Sequence, residues 1–210
     1  MMIIAIDGTL ASGKGTLAKR LAAHFGVPHM DTGALYRATG VAATIAGVDL
    51  TDEEACAEIA AKLDLTLYPD ADLRTAEAGQ SASKVAALSK VRQALFELQR
   101  SFAGQKGGAV LDGRDIGTVV CPEADVKFWV DASVEERARR RCMELEKAGK
   151  PISLEQMIAE LRERDIRDKT REVAPMKPAE DALQLDTTQM GPDDVFETAL
   201  NFALKKGFVA

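Results

Sequence analysis

A glycine-rich turn, Gly8-Thr9-Leu10-Ala11-Ser12-Gly13-Lys14-Gly15-Thr16, lies between the wholly apolar run Ile3-Ile4-Ala5-Ile6 and a helical pattern from about Lys14 to Phe25. An apolar, β-branched run of that kind suits a strand covered on both faces of a parallel sheet. The turn fits Gly-x4-Gly-Lys in the setting the pattern requires, strand before and helix after. Its glycines let successive backbone N–H groups point into one cavity, and the helix N-terminus adds partial positive charge, so the segment from Gly8 to Thr16 suits phosphates. Lys14 supplies a full charge for the β- and γ-phosphates. Thr16, one place later than in the commonest form, brings a hydroxyl for Mg²⁺. The bland alternative, a strand-to-helix turn that binds nothing, is weakened by that setting. A nucleoside triphosphate follows, but not yet a reaction.

The rest of the chain alternates strands and helices. Val27 to Met30, Ala109 to Leu111, Val126 to Val130 and Ala182 to Leu185 read as further strands, the first confined to an edge by Pro28. Gly26 stands where a left-handed residue closes the first helix. Helices are expected from Thr32 to Ala46, from a capping box at Thr51–Glu54 to Lys62, and from Ser81 to Phe102 with a break near Ser89. Three more run from a capping box at Ser133–Glu136 to Lys147, from Ser153–Gln156 to about Lys169, and from Asp193 to Lys206. Leu63 to Leu67 alternates as a half-exposed strand would, and Tyr68 to Gln80 reads as loop. Apolar strands alternating with helices give an α/β fold with a parallel sheet flanked by helices.

Composition removes several classes of function. The 210 residues carry 27 Lys and Arg against 33 Asp and Glu, a net charge of −6, which does not suit a protein that neutralises duplex nucleic acid. Three cysteines without CxxC spacing and two histidines argue against zinc and for a reduced, cytoplasmic setting. No apolar stretch is long enough to span a membrane, and the N-terminus has no signal-peptide shape.

Three constellations suggest a second anion site. Asp31-Thr32-Gly33-Ala34-Leu35-Tyr36-Arg37 follows the second strand and puts Arg37 on the first turns of a helix beside the glycine-rich turn, where its fork suits a phosphate; a solvated surface arginine is the alternative. Asp112-Gly113-Arg114-Asp115 ends a buried strand, where ligands lie in open α/β sheets. There Asp112 is placed to organise Mg²⁺ through water, with Arg114 and Asp115 facing the same crevice; a self-bonded turn is the alternative. Arg137, Arg139, Arg140, Arg141, Arg162, Arg164, Arg167 and Arg171 fall on two consecutive helices. Met157, Leu161, Arg164, Asp168 and Arg171 share one face, apolar at first and charged from Arg164 on, as a lid over a polyanion would be. An ion-paired surface helix, using Glu160 and Glu163, is the alternative.

With these residues in hand the chain resembles the bacterial cytidylate kinases, a P-loop nucleoside monophosphate kinase family, from Ile3 almost to the C-terminus. The matching stretches are Gly8 to Thr16, Asp31 to Arg37, Ala82 to Ala87, Val91-Arg92, Asp112 to Val120, Arg164 to Asp168, and Arg171 with Val173-Ala174-Pro175. The resemblance implies Mg²⁺-dependent transfer of the γ-phosphoryl group of ATP to CMP or dCMP by a single domain, 1–210. It implies a core (about 1–35, 103–132 and 176–210), a monophosphate-binding insert (about 36–102) and a helical lid (about 133–175). It implies that Ser83, Arg92 and Asp115 hold the cytosine, Thr32, Arg37 and Arg114 surround the monophosphate, and Arg164 and Asp168 meet the sugar. Lys14, Arg114 and Arg171 are the expected catalytic residues, with Arg171 near the transferring phosphates, in a cytoplasmic monomer. Thr9 stands where the family usually has Pro and Ala11 where many members have Gly; neither removes a required N–H. The segment between Leu67 and Arg74 is much shorter than in typical members. A small P-loop kinase for another acceptor, or a nucleotide-gated switch, would lack the Ser83, Arg92 and Asp115 triple or the arginine-rich lid.

Overall fold

The structure, a computed structural model, describes residues 2–208; Met1, Val209 and Ala210, which the single-domain reading takes in, lie outside the described residues. In chain order the first half forms β1 (Met2–Gly8), α1 (Lys14–Phe25), β2 (His29–Asp31), α2 (Thr32–Ile45), α3 (Glu53–Ala61), α4 (Asp70–Leu73), α5 (Ala76–Val85) and α6 (Ser89–Ala103). The second half forms β3 (Gly108–Gly113), β4 (Val126–Asp131), α7 (Val134–Lys147), α8 (Leu154–Thr170), β5 (Leu183–Asp186) and α9 (Pro192–Lys205). The strands make one parallel sheet in the order β2-β3-β1-β4-β5.

The apolar run Ile3 to Ile6 sits in the central strand, buried on both faces, as its composition required. Ile4, Ile6 and Phe128 pack against Leu17 and Leu21 of α1 and Ala199 and Ala203 of α9. Ala5 and Leu111 face the other way, onto Ile116 and Ala103. Gly26 closes α1 with φ 64, the left-handed cap its position suggested. The parallel register brings the C-terminal ends of β1, β2 and β3 level, so Gly8, Asp31 and Asp112 emerge along one rim.

Helices α2, α3, α5 and α6 share a core of their own, where Leu35 and Tyr36 meet Val85, Val91 and Leu95. Here the local reading is corrected. Leu63 to Leu67 is no strand: Leu65–Leu67 forms a single 3₁₀ turn capped by Asp64, with Leu67 70% exposed. An alternating pattern becomes a strand only beside a free sheet edge, and none lies alongside. Tyr68 to Gln80 is no loop either. It holds α4 and the start of α5, capped by the Thr75 hydroxyl on the Ala78 N–H at 3.0 Å. A weak Ala/Gly/Ser pattern becomes helical because it packs on α2; a Cβ on Gly40 would lie 2.6 Å from the Ser81 hydroxyl oxygen. The cap of α3 is Asp52, not Thr51, whose hydroxyl instead bonds Asp49. Ser133 caps α7 as expected, but Glu136 pairs with Arg139 and Arg140 and does not close the box. Ser153 and Gln156 do form a complete box on α8. Helices α7 and α8 share a cluster, Ala138, Leu145, Met157 and Leu161, that takes in Leu10 from the phosphate-binding loop.

Candidate active site

The loop after β1 is shaped by close backbone approach. A Cβ on Gly8 would sit 1.9 Å from the Val130 carbonyl oxygen, so only glycine lets β1 run against β4 there. Gly13 precedes α1 at φ 94. Ala11 adopts φ 61, a left-handed conformation that costs a residue with a Cβ about 1–2 kcal/mol. Thr9 compensates locally: its hydroxyl donates to Asp131 Oδ1 at 2.6 Å, a bond that proline could not make. The Ser12 carbonyl accepts from Thr187 Oγ1 at 2.8 Å and from Arg140 at 3.4 Å.

Lys14 enters a cleft of about 250 Å³ bounded by the loop, the ends of β2 and β3, residues 73–80, α7 and α8. Its ammonium donates to the Thr9 carbonyl at 3.2 Å, and its pKa is brought down to about 7 by burial, with Arg114 acting in the same direction. Leu10, Ala11, Gly13, Gly15 and Thr16 line the same cleft, whereas Gly8 and Thr9 stand behind it, buried.

Through Lys14 and Gly15 the cleft continues into a second cavity of about 170 Å³. Thr32, Arg37, Ser83, Arg92, Arg114, Asp115, Arg164, Asp168 and Arg171 all line it. These residues come from α2, α5, α6, the turn after β3, α8 and the residue after it, segments more than 130 positions apart in the chain.

Cations outnumber their counter-charges where the cavities meet. Arg37 Nη2 holds Asp31 at 2.7 Å, Arg114 Nε holds Asp168 at 3.2 Å, and Arg164 Nη1 donates to the Gly79 carbonyl at 3.0 Å. Nε of both Arg37 and Arg164 is buried without a hydrogen-bond partner among the described residues. Burial, then the neighbouring Arg114, brings Arg164 down to about 10. Burial would raise the Asp31 and Asp168 carboxyls, but Arg37 on the first, and Arg114 and Arg164 on the second, hold them below the usual range. Lys14, Arg37, Arg114 and Arg164 thus face one space with three carboxylates, Asp31, Asp112 and Asp168, among them, an arrangement that leaves room for a phosphate.

Deeper in, Asp115 is buried between Arg92 and Arg171 Nη2, the latter at 3.0 Å, while Ser83 Oγ donates to Asp168 Oδ1 at 3.3 Å. Arg171, expected near the transferring phosphates, lines the second cavity with Lys14 and Gly15 and is held on Asp115. The chain leaves α8 at Arg171 with an extended backbone, ψ 141, and its Nε donates to the Ala174 carbonyl at 2.6 Å, which turns the side chain toward Asp115. The arginines of α7 and α8 also divide. Arg137 is a buried tie, with Nη2 on Asp165 at 2.6 Å and Nε on the Ala132 carbonyl at 2.9 Å. Arg139, Arg162 and Arg167 line none of the cavities and pair with Glu136, Glu135 and Glu163. Arg141 lines the phosphate cleft and donates to the Arg74 carbonyl at 2.8 Å, and Arg140 lines a third cavity.

Two residues escaped the sequence reading. His29 Nε2 lies 2.6 Å from Asp112 Oδ1, an across-strand contact between β2 and β3 that no local pattern announces. Asp7 is a carboxylate ending a strand that is otherwise apolar, and that misfit was the available signal. With Oδ1 of Asp112 on His29, its Oδ2 faces the loop, 3.8 Å from where a Gly15 Cβ would stand. Thr16 lines the same cleft. No cluster of three or more His, Cys, Asp or Glu suited to a metal occurs among the described residues. One carboxylate and one hydroxyl fit Mg²⁺, a hard ion that takes few protein ligands and completes its shell with phosphate and water.

The cytidylate kinase family model matches residues 4–205. The chain belongs to the cytidylate kinase family. It is 54% identical over 95% of its length to a cytidylate kinase of Methylocella silvestris, of which the match covers 92%. It is 55% identical to one of Xanthobacter autotrophicus, the match covering 95% of each chain. The fold also resembles an uncharacterized protein from Eubacterium ventriosum, at 13% identity and TM-score 0.53, covering 96% of this chain and 98% of that one. No helix among the described residues is long and apolar enough to cross a membrane.

Proposed function

We infer that the chain transfers the γ-phosphoryl group of ATP to CMP or dCMP, giving CDP or dCDP and ADP, in pyrimidine nucleotide metabolism. The observation that carries this reading is the junction at Lys14: a phosphate-binding loop opens directly into a second, arginine-lined cavity with a buried carboxylate at its far end.

In this reading ATP lies along Gly8 to Thr16, with Lys14 against its β- and γ-phosphates. The third cavity, about 340 Å³ and lined by Met190, Pro192 and Val195 with Arg140 and Thr187, suits the adenine. Mg²⁺ would be held by Thr16 and, through water, by Asp112, and supplies neutralisation of the charge on the triphosphate. Arg37, Arg114 and Thr32 receive the monophosphate, Arg164 and Asp168 the sugar, and Ser83, Arg92 and Asp115 the cytosine. Arg171, seated on Asp115, orients that carboxylate. The acceptor is already an ionised phosphate, so no strong general base is required; in-line positioning and charge neutralisation supply the catalysis. The reading divides the chain into core, insert (about 36–102) and lid (about 133–175), with Arg141 and Arg164 joining lid to insert. The free thiols Cys56, Cys121 and Cys142 suit a cytoplasmic setting. A monomer is expected, since one chain supplies every residue of the site.

A coupled assay with Mg-ATP and each of CMP, dCMP, UMP, AMP and GMP tests the assignment. CMP and dCMP should be turned over and UMP much more slowly; activity confined to AMP or GMP would overturn it.

A further inference from the structure

Asp7 is the last side chain before the phosphate-binding loop, and it is 3% exposed. Its carboxylate does not bond to the loop that follows it. Oδ1 accepts the N–H of Ile116 at 2.8 Å and Oδ2 accepts the N–H of Gly117 at 2.7 Å. Those amides open the turn directly after Arg114 and Asp115, and the turn continues as a π-type turn over Ile116–Val120. The contact is close on both sides: a Cβ on Gly117 would stand 3.4 Å from Asp7 Oδ2 and 3.1 Å from Lys127 Cδ. Two convergent donors need two acceptors on one rigid side chain, which a carboxylate provides and an amide does not. Burial pushes the Asp7 carboxyl up to about 7 even with both amides pulling it down, so the group is kept at an energetic cost.

We propose that Asp7 is a positioning residue: through the N–H groups of Ile116 and Gly117 it fixes the turn carrying Arg114 and Asp115 against the start of the phosphate-binding loop, and so sets the acceptor nucleotide relative to ATP. This rests on the proposed binding of cytosine and monophosphate by that turn.

The test is steady-state kinetics at pH 8, where Asp7 is ionised, on Asp7→Asn and Gly117→Ala. Asp7→Asn keeps the shape but turns an NH₂ toward an N–H, and Gly117→Ala crowds the same contact while leaving Asp7 intact. In both variants KM for CMP should rise about tenfold, the worth of one such hydrogen bond, and the CMP-to-UMP ratio of kcat/KM should fall. KM for ATP should stay within about twofold, since Lys14 and its loop are untouched. Amide exchange at Ile116 and Gly117 should be slow in the parent and become fast in Asp7→Asn. A fall in melting temperature with KM for CMP unchanged, or equal rises in both KM values, would overturn the proposal. A parent enzyme inactive on CMP would overturn the functional reading, a result distinguishable from either.

Discussion

Replacing Asp115 by Asn separates the job the structure gives this carboxylate, counter-ion to two arginines, from the base-reading job proposed for it. Asp115 is the shared counter-ion of Arg92 and Arg171, all three side chains being at most 8% exposed. Removing one member of a buried ion pair costs about 3–5 kcal/mol, because the remaining charge is left unpaired in a medium that solvates it poorly. For a chain of this size each kcal/mol lowers the melting temperature by about 2–4 °C, so Asp115→Asn should melt roughly 6–20 °C lower. The base-reading effect is separate. Cytosine offers an amino donor at position 4 and acceptors at N3 and O2; uracil offers an acceptor at O4 and a donor at N3. A carboxylate has about four lone-pair sites, so Asp115 can keep both arginines and still accept from the cytosine amino group. Opposite uracil it faces O4, acceptor against acceptor, both dehydrated. Asn removes the charge-assisted bond and the repulsion together, ~1.5–3 kcal/mol, so the CMP-to-UMP ratio in kcat/KM should fall at least ~10-fold. The assay is kcat/KM for both nucleotides at fixed Mg-ATP, well below either melting midpoint, beside a thermal melt. A lower melting temperature with the ratio intact would mean that Asp115 anchors two arginines and does not read the base.

Three further outcomes are expected. Lys14→Met should lower kcat by roughly 10²-fold or more, the cost of losing one preorganised charge at the reacting phosphates; kcat within about twofold of the parent would remove Lys14 from that role. Burial brings the Lys14 pKa down to about 7, so above pH 7 its ammonium increasingly loses its proton, and bound phosphates should restore it. ATP affinity should therefore decline as pH rises through 7, and calorimetry in buffers of different ionisation enthalpy should show proton uptake at pH 8; no uptake would contradict that protonation change. Hydrogen exchange over about residues 133–171 should slow when CMP and a non-hydrolysable ATP analogue bind together, and rates blind to ligand would leave α7 and α8 as an ion-paired surface hairpin.

Much of the site was legible because its parts obey local rules. A buried strand, a glycine-rich turn and a helix start are contiguous, so Gly8 to Thr16 declared its chemistry through backbone geometry alone. The face running through Met157, Leu161, Arg164 and Asp168 was likewise readable from helical spacing, and all four residues line the two joined cavities. Where local preference was weak, packing decided. Residues 76–80 became helix against α2, and the alternation at Leu63 to Leu67 came to nothing without a strand to pair with.

Partnerships are what sequence left open. Seven arginines on two helices, and an eighth just beyond, have similar surroundings in the chain, yet Arg137 ended as a buried tie to Asp165, Arg139 as a surface pair, and Arg164 where the two cavities join. Arg171 reached Asp115, 56 residues away, and His29 reached Asp112 across two strands. Asp7 took its two amides from a turn 109 and 110 positions later. The chemistry of a side chain and its place on a helix face depend on neighbours within a few residues, which sequence records. Which buried charge meets which counter-charge depends on strand order and register, and those are set by the whole sheet closing on its core.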